Sequence, residues 1–138
     1  MRLLTVAVLC LCLTVAAQAQ ALGKRELARE ANAICKQYTK KLNRIPQQPE
    51  DAYLGKVAAV AAEQQELLED LRATGKARKV YATFLARYAD ATQILADIAA
   101  AYDADDAPEL KRLTKALSKA TRRLDKAADR LGAPACGK

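Results

Sequence analysis

The chain has 138 residues, with 23 Lys and Arg against 16 Asp and Glu, four Cys, and neither His nor Trp. A net charge of +7 and an apolar share of 51%, with alanine its largest part, fit one small basic domain and not two. The missing His takes away the usual general base and the commonest metal ligand, and Ser118, the sole serine, leaves no serine triad to draw.

The first segment reads as a secretory signal. Met1-Arg2 is a short positive region, and Leu3 to Ala17 is an apolar run broken by Thr5 and Thr14. Two small-x-small sites follow, Ala17-Gln18-Ala19 and Ala19-Gln20-Ala21. Cleavage after residue 19 or 21 leaves a single domain over 22–138. The competing reading is an uncleaved anchor, but the apolar run falls short of the roughly 20 residues a span needs. Cys10 and Cys12 depart with the signal; each follows Leu, so neither suits a lipid acceptor. The expected product is secreted, or held in the periplasm or cell envelope of a bacterium.

Four helical segments follow, divided by turn chemistry. The first carries Leu27, Ala31, Ile34, Tyr38, Leu42 and Ile45 at spacings of three and four. Pro46 and Pro49 then stop it, since two prolines this close cannot share one helix. The second opens at Pro49 or Glu50 and offers Val57, Val60, Gln64, Leu67 and Leu71 as its seam, widened by Leu54, Ala61 and Leu68. Gly75 closes it as a left-handed residue just past the helix end. The third follows Tyr81, Phe84, Tyr88, Ala91, Leu95, Ile98 and Tyr102. After the break at 103–108, Asp106-x-x-Glu109 resembles a capping box. The fourth repeats Leu110, Leu113, Leu117, Ala120, Leu124, Ala127 and Leu131, then ends in Gly132-Ala133-Pro134. Short connections make neighbours antiparallel. The expected fold is an all-α, antiparallel, up-down-up-down four-helix bundle.

Removal of the signal leaves two cysteines, Cys35 and Cys136, in an oxidising compartment where an even count implies a bridge. A redox or metal pair is the alternative, but there is no CxxC and no other soft ligand in the mature chain. Cys35 lies roughly 17 Å along the first helix at the standard helical rise. The segment from Leu131 to Cys136 can extend about as far. The tail can therefore fold back and staple the end of the chain to its first helix.

Absent atoms exclude the familiar bundle chemistries, so no cofactor or metal is expected. Covalent haem needs CxxCH, axial ligation needs His or Met, and di-iron bundles need Glu-x-x-His pairs. Met1 is the sole methionine, and no Gly-rich phosphate loop occurs. Glu63, Glu66 and Asp70 share one face of the second helix, where they form either a cation holder or a solvated acidic face. Oxygen-only sites gather ligands from loops as well, which favours the solvated face and a protein that is not an enzyme.

Gln64 stands where its neighbours put Leu or Val. It either fixes the register of the seam or joins Tyr38, Tyr81, Tyr88 or Tyr102 in lining a small polar pocket. Charge is uneven along the chain: +5 over 24–44, −4 over 49–74, +1 over 76–103 and +3 over 105–131. The last helix repeats Lys111, Lys115, Lys119, then Arg122, Lys126 and Arg130 at like-charge spacing of four, each pair costing about 0.2–0.5 kcal/mol in isolation. With the first and fourth helices adjacent, their cations make one positive face for an anionic partner: a lipid headgroup, a cell-wall polymer or an acidic protein. A row used only for solvation is the competing reading. No aromatics are interleaved with the row, which disfavours nucleic acid.

The stretch Ala31-Asn32-Ala33-Ile34-Cys35 and the terminal Leu131-Gly132-Ala133-Pro134-Ala135-Cys136-Gly137 resemble a group of small exported helical proteins of actinobacteria, with one Cys in the first helix and an LGxxxCG element at the end. The resemblance implies a disulfide-linked helical domain and brings no activity with it. Many of that group carry lipoprotein signals, which this chain does not. The resulting expectation is an exported, non-enzymatic binding or structural module.

Overall fold

The computed structural model describes residues 21–137; the signal segment with its cleavage sites, Cys10 and Cys12, and also Lys138 lie outside them. Helices α1 (Lys24–Leu42), α2 (Glu50–Glu69), α3 (Ala77–Asp103) and α4 (Ala107–Leu131) are followed by a short 3-10 turn, Pro134–Cys136. Each boundary has a local cause. Gly23 is extended before α1, and the Glu26 side chain turns back to accept its N–H at 3.3 Å. Pro49 precedes α2, where its missing N–H costs nothing. Asp106 accepts the Glu109 N–H at 3.0 Å, so half of the expected capping box forms. The Glu109 carboxylate turns instead to Arg112, at 2.6 Å.

The end of α4 closes as its sequence implies. Gly132 sits at φ 88, and Ala133 and Gly132 donate back to the carbonyls of Ala128 (2.9 Å) and Asp129 (3.1 Å). The end of α2 does not. Gly75 is left-handed at φ 50, but it lies in the turn before α3, beyond the end of α2 at Glu69. The intervening residues leave the helix to pair with Leu22, just before α1. Leu22 donates to Arg72 at 2.6 Å, and Thr74 donates to Leu22 at 3.0 Å.

The register of α2 also differs from expectation. Val60, Ala61, Gln64 and Leu68 face inward, while Leu67 is 41% exposed. Adjacent apolar pairs offer two overlapping stripes, and packing against α1 and α3 selects the one containing Leu68. In the other helices Leu27, Ala31 and Tyr38, then Tyr81, Phe84, Tyr88, Ala91 and Ile98, then Leu113, Ala120, Leu124, Ala127 and Leu131 are buried as their spacing requires. Phe84 lies at the centre of the main core, its ring centroid 5.9 Å from Tyr81 and 6.0 Å from Tyr88. Burying such a side chain contributes about 1.5–3 kcal/mol.

The four helices form an antiparallel bundle in which α1 packs on α2, α2 on α3, and α3 on α4. The fourth side is closed differently. The C-terminal tail lies between α1 and α4 and touches both, so the helices meet mainly through it. Near Gly132 the two approach closely: a Cβ there would stand 3.5 Å from the Ala28 methyl. Farther along α1 the tail holds them apart.

Candidate functional site

The tail is fixed by one covalent bond and by one side chain. Cys35 and Cys136 form a disulfide with Cα atoms 5.1 Å apart, and Cys35 is 1% exposed. One turn away on α1, Asn32 donates to the Gly132 carbonyl at 3.1 Å and accepts the Ala135 N–H at 3.0 Å. Gly137 then lies over α4, where a Cβ would fall 2.8 Å from the Asp125 Cα. Asp125 Oδ1 is buried there without a hydrogen bond.

Where the tail separates α1 from α4 it leaves a cleft of about 240 Å³. Leu42, Leu95, Leu117 and Leu124 form walls from α1, α3 and α4, and Cys136 closes one end. Gln64 lines this space; it is 6% exposed, and its Nε2 donates to Sγ of Cys35 at 3.1 Å. Gln64 thus ties α2 to Cys35 on α1 and lines this cleft. Tyr88 lines the same cleft; Tyr38, Tyr81 and Tyr102 do not.

The tyrosines have separate surroundings. Burial, then the charge of Glu69, pushes the Tyr81 hydroxyl above its ordinary range; this hydroxyl donates to the Leu68 carbonyl. Burial raises Tyr88 as well, followed by its proximity to Tyr38. Burial and then Glu63 raise Tyr38. The Tyr102 hydroxyl reaches Glu50 at 3.2 Å.

The acidic face of α2 shows no convergence. Glu63, Glu66 and Asp70 are exposed, and Glu63 is paired with Lys41. That ammonium, and then the Tyr38 hydroxyl, hold the Glu63 carboxyl below its usual range, opposite to the shift a general acid needs. Among the described residues no three His, Cys, Asp or Glu side chains are gathered as metal ligands would be.

Cations lie on two separate surfaces. Lys111, Lys115, Lys119, Arg122, Lys126 and Arg130 are all exposed on α4. Lys119 and Arg130 border the α3 side, beside Asp90 and Lys79 respectively. Toward α1, α4 presents Leu117, Thr121 and Leu124, with Asp125 under the tail. A shallow groove on α1, closed on one side by Leu131 and Gly132, is lined by Lys24, Arg25, Arg29 and Lys36; none of the six α4 cations borders it. The single face expected from adjacent helices is therefore divided, because the tail and an α4 edge without cations, made of Leu117, Thr121 and Leu124 with Asp125 beneath the tail, stand between its halves.

Asn32 and Thr92 were not singled out by sequence. Asn32 sits one turn before Cys35 and opposite the tail, a position that follows once the bridge is drawn. Thr92, 9% exposed, is an ordinary helical residue whose burial depends on its neighbours alone. No protein-family model, curated protein or solved structure matches the chain. No described helix is long and apolar enough to cross a membrane.

Proposed function

We propose that the chain is an exported, non-enzymatic binding module of the bacterial cell envelope or extracellular space, resembling the small helical actinobacterial proteins with which it shares its cysteine placement. The Cys35–Cys136 bond carries this reading: it joins residues 101 positions apart at a core position and holds the last turn in the α1–α4 gap. Such a bond persists where thiols are oxidised. The test is mass and N-terminal analysis of the protein recovered from its native fractions. Export predicts a start at Gln20 or Leu22 and a mass two hydrogens below the reduced form. A chain retaining residues 1–19 with free thiols overturns it.

A second reading, recognition of an anionic envelope component, is supported by the α1 groove, whose lining holds four cations and no carboxylate. Arg29 is partly neutralised by Glu30 at 3.1 Å, outside that lining. Retention on anionic vesicles should fall with salt. Reversing Lys24, Arg25 and Lys36, and separately Lys115, Lys119, Arg122 and Lys126, assigns the binding to α1 or α4. Retention unchanged by both sets removes the reading.

A further inference from the structure

We propose that the cleft beside Gln64 binds a small, neutral, apolar molecule carrying one hydroxyl group, with a monocyclic phenol as the fitting class. This inference is independent of both export and anion binding, because it uses none of the exposed cations.

Three observations carry it. The first is shape. Ala61 on α2 and Ala91 on α3 face leucines of α4 across the gap, and the tail stops at one end of it. The result is a space of about 240 Å³ between elements that a disulfide holds in place. The leucines give it apolar walls, and apolar walls favour an apolar occupant.

The second is charge. Charged residues make up 28% of the chain, yet none lines this cleft. An ionised ligand would lose its hydration there without a compensating partner. The occupant is therefore neutral.

The third is the polar floor. Gln64 is 6% exposed; its Nε2 is engaged by Cys35 Sγ, which orients the carboxamide, while no described residue donates to its Oε1. Thr92, 9% exposed, has no hydrogen bond from its hydroxyl, whereas Thr39 and Thr121 at the rim donate theirs to the carbonyls of Cys35 and Leu117. Tyr88 also lines the cleft, and its hydroxyl has no hydrogen-bond partner among the described residues. Gln64 Oε1 opens onto the cleft as an acceptor without a donor among the described residues, and a ligand hydroxyl is the group that can donate to it. That hydroxyl can in turn accept from Thr92 or Tyr88.

The test titrates the oxidised protein with para-ethylphenol, ethylbenzene and para-ethylbenzoate, followed by amide NMR. Saturable shifts around Gln64, Thr92 and Thr121 are expected with the phenol. Binding of ethylbenzene should be weaker by about tenfold, the value of one hydrogen bond. The benzoate should not bind. Gln64→Leu should remove the preference for phenol over hydrocarbon. Thr121→Trp, at an exposed rim position, should block both ligands without entering the core. No saturable shift with any probe overturns the proposal, as does binding that persists in Thr121→Trp. Equal affinity for phenol and ethylbenzene overturns the role of Gln64, and binding of the benzoate overturns the neutral ligand class.

Discussion

Asn32 and Ala135 stand 103 positions apart in the chain, yet the Asn32 carboxamide accepts the Ala135 N–H at 3.0 Å. Its other end donates to the Gly132 carbonyl at 3.1 Å, so one side chain brackets the tail on both sides of Pro134. The contact fixes how the tail enters the bundle beside the disulfide. Asn32→Ala leaves the part-buried Ala135 N–H without a partner, a loss of about 1–3 kcal/mol. Thermal melting of the oxidised variant should fall by several degrees with its helicity unchanged. An unaltered melting temperature would show that the bond alone fixes the tail.

The disulfide itself sets the stability of the folded state. Cys35→Ser with Cys136→Ser removes a loop constraint worth about 2–5 kcal/mol and places two hydroxyls where sulfurs pack. Urea unfolding of the double variant should show an unfolding free energy lower by that amount, with a lower midpoint and a somewhat steeper slope, because the unlinked unfolded chain exposes more surface. With alanine in place of both cysteines the Gln64 Nε2 donor loses its acceptor, so Gln64→Leu should be less damaging in that double variant than in the parent chain.

The path of the tail was legible because a pair of cysteines and the reach of five residues leave little choice. The register of α4 was legible because Leu113, Ala120 and Leu124 have polar neighbours on either side, and that of α3 because the large aromatics Tyr81, Phe84 and Tyr88 recur at three and four. In α2 the side-by-side pair Leu67 and Leu68 gave no such contrast, and only tertiary packing chose Leu68. The cleft was not legible beyond the oddity of Gln64. A cavity is a difference between alanine and leucine summed over facing helices, and the spacing along one helix does not contain it. The division of the basic surface has the same origin: like-charge spacing places cations along α4, but the insertion of the tail decides which side faces α1.

Two glycines with opposite roles give a stability comparison inside one fold. Gly55 lies within α2, and a Cβ there would meet nothing within 4 Å. Gly55→Ala should stabilise the protein by about 0.5–1 kcal/mol through helix propensity. Gly137→Ala places its Cβ 2.8 Å from the Asp125 Cα, a backbone atom that cannot move aside without shifting α4 or the tail. It should lower the denaturation midpoint, with the first loss of amide protection at the tail. If Gly137→Ala leaves the midpoint unchanged or raises it, the close approach of tail and α4 is wrong.

Alkaline pH should unfold the protein through its tyrosines. Tyr38, Tyr81 and Tyr88 are buried as neutral phenols, and burial is the largest cause of the upward shift at each. Their folded-state values lie above the ordinary 10.0, so the unfolded chain releases these protons first as pH rises. The stability that they contribute is therefore complete below about pH 10 and is lost as pH climbs through the raised range. Phenolate absorbance should show these three groups titrating above pH 10 and together with loss of helicity. Tyr81→Phe removes one of these protons together with the hydroxyl that donates to the Leu68 carbonyl. It should make the alkaline transition less steep while lowering stability at neutral pH. A variant with the same steepness as the parent would mean that Tyr81 ionises without unfolding, and that its hydroxyl reaches solvent.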